Sequence, residues 1–116
     1  MSKDIEGIQA RLAEFAKARD WDQFHSPKNL ATALAVEAAE ILEHFQWLTE
    51  DASRTLPEAK RLAVGEELAD VFLYLLQLAR KLDVDLVQAA DAKLESNARK
   101  YPVDLAKGRS DKYTDL

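Results

Sequence analysis

The sequence predicts an all-α fold in which four amphipathic helices form a bundle. Apolar residues recur at three- and four-residue steps over most of the chain, which is the spacing of one face of an α-helix. Gly and Pro number only three each, so tight turns are few. Of the 116 residues, 47% are hydrophobic and 32% charged, which is the composition of one globular domain.

Each helix is justified by its apolar spacing and by residues that begin or end helices. The first carries Ile5, Ile8, Leu12 and Phe15 on one face. A short connection follows over 21–27. The first helix is predicted over 4–19, and the second runs from N-cap Ser26 and Pro27 to Leu48. After a polar loop over 49–56, the third helix is predicted from Pro57 to Lys81. The fourth follows the capping residues Asp83 and Asp85 and ends near Tyr101–Pro102. Four helices with short links predict a bundle.

The predicted domain covers residues 1–102, and residues 103–116 are predicted to be a polar tail without periodicity. The third helix is apolar on almost every side, which predicts burial on every side. Its apolar residues include Leu68, Phe72, Leu73, Leu75, Leu76 and Ala79. One small chain has too few helices to cover them, so we expect a homo-oligomer, either a tetramer or a dimer.

Charge and composition exclude several functional classes. The net charge of −5 argues against a nucleic-acid-binding protein, which usually carries a basic stripe. The absence of cysteine excludes disulfides, thiolate catalysis and cysteine metal sites. No apolar run approaches the ~20 residues of a membrane span. The amphipathic start has no secretory apolar core, so a cytoplasmic location is expected.

Two pairs of acids occupy unexpected positions. Glu37 and Glu40 lie three residues apart on the second helix, as do Glu67 and Asp70 on the third, so each pair shares one helical face. At ~100° per residue, Glu37 falls among Leu30, Ala33, Ile41 and Leu48, and Glu67 falls among Val64, Val71 and Leu78. Both pairs are therefore expected on or beside apolar faces.

Carboxylates that converge in a bundle repel one another unless a cation compensates their charge. Oxygen ligands favour Mg²⁺, with Mn²⁺ as a possible substitute. A di-iron bundle needs Glu-x-x-His on two helices. His44 lies four residues after Glu40, and His25 precedes the helix, so neither completes that motif. From the residues alone, the acids could also be surface charges near the edge of the core.

The acids and their surroundings resemble the MazG-like all-α NTP pyrophosphohydrolases, in particular the dCTP pyrophosphatase branch. Glu37-x-x-Glu40 and Glu67-x-x-Asp70, with 26 residues between them, resemble the family's metal motif. Further similar segments are Trp21-Asp-Gln-Phe24-His25-Ser-Pro27-Lys-Asn29-Leu30, Leu34, Phe45-Gln46-Trp47, Glu66 to Val71 with Tyr74, and Lys93-x-x-x-Asn97-x-x-Lys100-Tyr101-Pro102. The resemblance covers nearly the whole chain.

This resemblance implies an enzyme that cuts a dNTP into dNMP and pyrophosphate by attack at the α-phosphorus, in cleansing of the nucleotide pool. The implied substrate is dCTP or a related pyrimidine nucleotide. Glu37, Glu40, Glu67 and Asp70 are the implied catalytic residues and Mg²⁺ ligands. The implied base and sugar pocket includes Trp21, His25, Trp47 and Tyr74, and the residues expected near the phosphates or sugar are Lys93, Asn97, Lys100 and Tyr101.

Other interpretations remain open at this point. Related branches act on dUTP or on several dNTPs, so a broader dNTP or a dUTP pyrophosphatase is an alternative. Trp21 and Trp47 could be core aromatics, and Lys93 and Lys100 could be solvated. A non-catalytic helical interaction protein is the alternative from a different functional class.

Overall fold

A computed structural model describes residues 4–116, and this part of the chain is helical without strands. Its α-helices are α1 (Ile5–Ala18), α2 (Pro27–Glu43), α3 (Glu50–Arg54), α4 (Glu58–Lys81), α5 (Leu86–Lys100) and α6 (Val103–Ala106), with 3₁₀ helices at Asp22–Phe24 and Tyr113–Asp115. The all-α prediction is confirmed. Among the residues described, no helix has both the length and the apolar character of a membrane span.

The chain forms two compact units, Met1–Asp83 and Val84–Leu116. In the first unit, α4 packs most extensively against α2 and also contacts α1. Its buried apolar residues are Ala16 of α1, Leu30 of α2, and Val64, Leu76 and Ala79 of α4, of which Leu30 and Leu76 are fully buried. The second unit contains α5 and α6. The domain boundary predicted at residue 102 stays a prediction.

Helix ends follow the predicted caps at two positions. The Ser26 hydroxyl accepts a hydrogen bond from the Asn29 amide at 3.1 Å, and Pro27 is the first residue of α2. The Asp85 carboxylate accepts from the Gln88 amide at 3.0 Å and caps α5. Asp83 is not a cap, because its φ of 55° places it in the left-handed region just after α4.

Two predicted boundaries are wrong. Helix α2 ends at Glu43 instead of Leu48, because its backbone bonds tighten there into turns, with the His44 amide donating to Ile41 at 3.1 Å. The predicted loop over 49–56 contains α3, which Thr49 caps by accepting from the Ala52 amide at 3.1 Å. Residues 103–116, whose assignment as a tail stays a prediction, contain α6 and a 3₁₀ helix, and the rigid Pro102 precedes α6.

Candidate active site

The packing of α2 on α4 brings acidic side chains from both helices together. One carboxylate oxygen from each of Glu37, Glu67 and Asp70 lies within 4.8 Å of the other two. Glu40 is half-buried beside them, and its carboxyl group is within hydrogen-bonding range of Glu37 and Glu67. The structure therefore gathers all four acids that the sequence singles out. We refer to them as the acidic cluster.

Burial and mutual repulsion disfavour the ionised forms of two acids in the acidic cluster. Burial, with hydrogen bonding and repulsion from Glu40, raises the pKa of Glu37 to about 6, and the charges of Asp70 and Glu67 act in the same direction. Burial, Glu40 and Asp70 likewise raise the pKa of Glu67 and outweigh the opposing effect of His44. The His44 Nε2 lies 3.9 Å from Glu67 Oε1. Neutral or metal-bound carboxyl groups are thus favoured at these positions.

The residues fit a hard divalent cation. Glu37 Oε2 and Glu67 Oε2 are shielded from solvent and have no hydrogen-bond partner among residues 4–116. Buried carboxylate oxygens without partners are costly, and a cation would satisfy them. The donor set consists of carboxylate oxygens, which is the set that Mg²⁺ prefers over softer metals.

An open cavity of about 540 Å³ adjoins the acidic cluster at Asp70. Trp21, His25 and Tyr74, three of the residues predicted to bind substrate, line it. Tyr74 lies four residues after Asp70 on α4, so both side chains share one helical face. A flat apolar wall and polar groups thus lie next to the acids, which is the usual make-up of a small-molecule site.

The connection between α1 and α2 places Trp21 and His25 at this cavity. The Trp21 amide donates to the Ala16 carbonyl at 2.8 Å, and its ring meets that of Phe15 edge-on at 5.6 Å between centroids. Asp22, in the adjacent 3₁₀ helix, accepts from the Lys81 ammonium at 2.6 Å. This contact lowers the pKa of Asp22 and ties the connection to the end of α4.

Comparison with known proteins identifies the family. The model of the MazG-like family matches residues 32–116, which include the whole acidic cluster. The chain belongs to the MazG-like family. It is 47% identical to mouse dCTP pyrophosphatase 1 and 46% identical to the human protein, each over 97% of this chain and 67% of the relative.

A solved structure supports the same assignment. The crystal structure of a pyrophosphatase from Archaeoglobus fulgidus superposes with a TM-score of 0.81 at 39% identity, covering 88% of this chain and 95% of that one. These relatives confirm the predicted family and the predicted enzyme class, a nucleotide pyrophosphohydrolase.

The structure does not test the other predicted substrate residues of this MazG-like chain. Trp47 follows the end of α2 and is 88% exposed. Lys93, Asn97, Lys100 and Tyr101 belong to the second unit. There Tyr101 contacts the Tyr113 ring edge-on at 6.0 Å, and the Lys100 ammonium lies 5.0 Å from the same ring centroid. Their roles stay predictions.

Sequence reasoning missed part of the cavity wall. Further lining residues are Ile8, Arg11, Leu12 and Phe15 of α1, and Leu73 and Gln77 of α4. The apolar spacing of α1 predicts a helix, but it does not by itself show that this face borders a cavity. The position of Gln77, seven residues after Asp70, was a usable signal, because it puts a polar side chain on the same face of α4.

Proposed function

We propose that this chain hydrolyses a deoxynucleoside triphosphate to the monophosphate and pyrophosphate, with Mg²⁺ held by Glu37, Glu40, Glu67 and Asp70. The observation that carries the proposal is the convergence of these acids beside a cavity lined by Trp21, His25 and Tyr74. A site that pairs a cation with flat apolar walls suits a ligand with a polyanionic end and an aromatic end. A nucleoside triphosphate has both.

The reaction requires little beyond positioning and charge. When bound, Mg²⁺ supplies positive charge to the phosphate oxygens and acidifies a coordinated water. Water attacks the α-phosphorus, the α–β phosphoanhydride bond breaks, and the electron pair leaves with pyrophosphate. A carboxylate of the acidic cluster accepts the proton of the attacking water.

The base and sugar occupy the cavity beside Asp70. Trp21 offers a face for stacking, which contributes ~1–3 kcal/mol per base. His25 and Tyr74 supply polar contacts to the base or sugar. The remaining members of the proposed substrate site are Trp47, Lys93, Asn97, Lys100 and Tyr101.

The preferred substrate is dCTP or a related pyrimidine nucleotide. Its support is the identity of 45–47% to proteins named dCTP pyrophosphatase 1. The proposed setting is cleansing of the cytoplasmic nucleotide pool. A broader dNTP activity, or a dUTP preference, is the second candidate, because the cavity is open and stacking by itself tolerates any base.

The proposed working form is a homo-oligomeric helical bundle, a tetramer or a dimer. On α4, Leu68 is 54% exposed and Phe72 is 38% exposed in the single chain. Trp47 also projects into solvent. Large apolar side chains exposed together are typical of surfaces that another copy covers.

A pyrophosphate-release assay over a panel of triphosphates, with Mg²⁺ or Mn²⁺ and with chelator, tests the proposal. Chromatography should identify the monophosphate and pyrophosphate as products. Glu40→Gln should abolish turnover while the circular dichroism spectrum is unchanged, because it removes one charge from the acidic cluster. The matched control Glu43→Gln, exposed at the end of the same helix, should keep wild-type rates. Full activity in chelator, or orthophosphate as the main product, contradicts the proposal.

A further inference from the structure

A glutamine on the cavity wall has an unusual environment. Gln77 of α4 lines the cavity that contains Trp21 and Tyr74. It also lines a neighbouring cavity of about 360 Å³. Its side-chain Oε1 is shielded from solvent and has no hydrogen-bond partner among residues 4–116. A buried amide oxygen without a partner costs stability, so a rotation of the amide that turns this oxygen into the cavity, toward a partner from outside the chain, would be favourable.

The neighbouring polar side chains are directed to other partners. Gln9 donates its amide nitrogen to the Leu76 carbonyl at 3.0 Å, and Arg80 donates to the Gln9 carbonyl at 3.0 Å. The Lys81 ammonium donates a hydrogen bond to the Asp22 carboxylate. These three donors are therefore engaged in contacts that do not include Gln77.

The position of Gln77 relative to the acidic cluster suits a nucleotide whose phosphates lie at the acidic cluster and whose base lies at Gln77. Gln77 lies seven residues after Asp70 and three after Tyr74, so the three side chains follow one face of α4. At a rise of ~1.5 Å per residue, Gln77 is about 10 Å along the helix from Asp70. This distance separates the phosphate end of a nucleotide from its base edge.

We propose that Gln77 recognises the edge of the base, with its Oε1 accepting a hydrogen bond from the 4-amino group of a cytosine-type base and its Nε2 donating to N3. This inference rests on the proposed function and assigns a specificity-determining residue within the same site. Uracil has a carbonyl oxygen where cytosine has the 4-amino group. In this arrangement that oxygen would face Gln77 Oε1, and two acceptors cannot form a hydrogen bond. A site built around a hydrogen bond rejects analogues that leave its buried polar group unpaired.

The test combines a protein change with a substrate change. Gln77→Met keeps the length of the side chain and removes both polar atoms. The second substrate is the deoxyribonucleoside triphosphate of 2-pyrimidinone, which retains N3 and lacks the 4-amino group. With wild-type protein, kcat/KM for dCTP should exceed that for the analogue on the order of tenfold, the effect of one hydrogen bond of ~1.4 kcal/mol. In the variant the two values should converge, mainly through a higher KM for dCTP.

The Tm of Gln77→Met distinguishes a role in base recognition from a role in packing, because loss of a packing role would lower the Tm. Replacing an unpartnered buried oxygen by an apolar group should leave the Tm of Gln77→Met unchanged or raise it. The matched control is Gln88→Met, exposed on α5, which should keep both the Tm and the substrate ratio. A lower Tm with equal losses on both substrates would overturn the proposal, because it indicates a packing role.

The failure of this inference is distinguishable from that of the proposed function. If wild-type protein releases no pyrophosphate from any deoxynucleoside triphosphate, the proposed function fails. If wild-type protein hydrolyses dCTP and Gln77→Met retains the preference over the analogue, only the role of Gln77 fails. A wild-type preference for dUTP over dCTP also overturns the role of Gln77 and leaves the pyrophosphohydrolase activity in place.

Discussion

Glu37 lies in surroundings that favour its neutral form. Burial and the neighbouring carboxyl groups raise its pKa from 4.5 to about 6. A carboxyl group with a higher pKa in the folded state binds its proton more tightly there than in the unfolded chain. Its contribution to stability is therefore fully present below pH 4.5 and is lost as the pH rises through about 6.

The loss of this contribution with rising pH leads to a prediction for metal-free protein. In chelator, the Tm should fall as the pH rises from 4.5 to just above 6, the interval over which Glu37 is ionised in the unfolded chain but still largely binds its proton in the folded protein. Added Mg²⁺ should raise the Tm strongly at higher pH and only weakly near pH 5, where protons compete for the carboxylates. Melting curves over this range, with and without Mg²⁺, provide the measurement.

The matched variant isolates Glu37 from the other titrating groups. Glu37→Gln keeps the shape of the side chain but removes its charge, so its metal-free Tm should vary less between pH 5 and pH 7. It should also lose much of the stabilisation by Mg²⁺. If wild-type protein and the variant follow the same pH dependence, Glu37 is not the group responsible.

At the scale of elements, the 3₁₀ helix Asp22–Phe24 is held to α4 by the contact of Asp22 with Lys81. Lys81→Met should raise the KM for the nucleotide a few-fold, because Trp21 and His25 flank this helix. The Tm should change little, since exposed ion pairs contribute little to stability. Steady-state kinetics at low and high salt check the KM, and melting curves check the Tm.

High salt should raise the wild-type KM toward that of the variant, because salt screens the ion pair, whereas the variant should respond less. Lys107→Met, an exposed change in the second unit, is the control and should leave the Tm unchanged. A variant with wild-type KM at every salt concentration would show that the backbone contacts alone position the connection.

Local signals explain which elements the sequence could predict. The ends of α1, α4 and α5 lie close to their predicted positions, because apolar spacing and caps act within a few residues. The short α3 was missed since a five-residue helix has too few positions to show a period. The acidic cluster was predictable because acids on apolar faces conflict with the helical pattern.

The cavity was less predictable for a physical reason. Periodicity identifies which face of α1 is apolar, but not whether protein or a ligand covers that face. Leu12 and Phe15 fit a core stripe equally well in either case, and both line the cavity. The exposure of Trp47 likewise depends on long-range packing, which no local pattern encodes.

For the whole molecule, the exposed apolar surface of α4 leads to a prediction about assembly. Leu68 is 54% exposed although it lies between two members of the acidic cluster, Glu67 and Asp70. Burial of a leucine side chain contributes ~1.5–3 kcal/mol, and a symmetric interface counts each contact twice. Light scattering at micromolar concentration should therefore give the mass of a dimer or tetramer.

Leu68→Glu should shift that mass toward the monomer, because each interface would bury an unpaired charge in every copy. Circular dichroism should show retained helix, since this side chain is largely outside the core of the single chain. Ala59→Glu, exposed on the first turn of α4, is the control and should leave the mass unchanged, as an acid near a helix N-terminus is tolerated. A wild-type monomer at these concentrations, or an unchanged mass for Leu68→Glu, would show that α4 is not the surface through which copies associate.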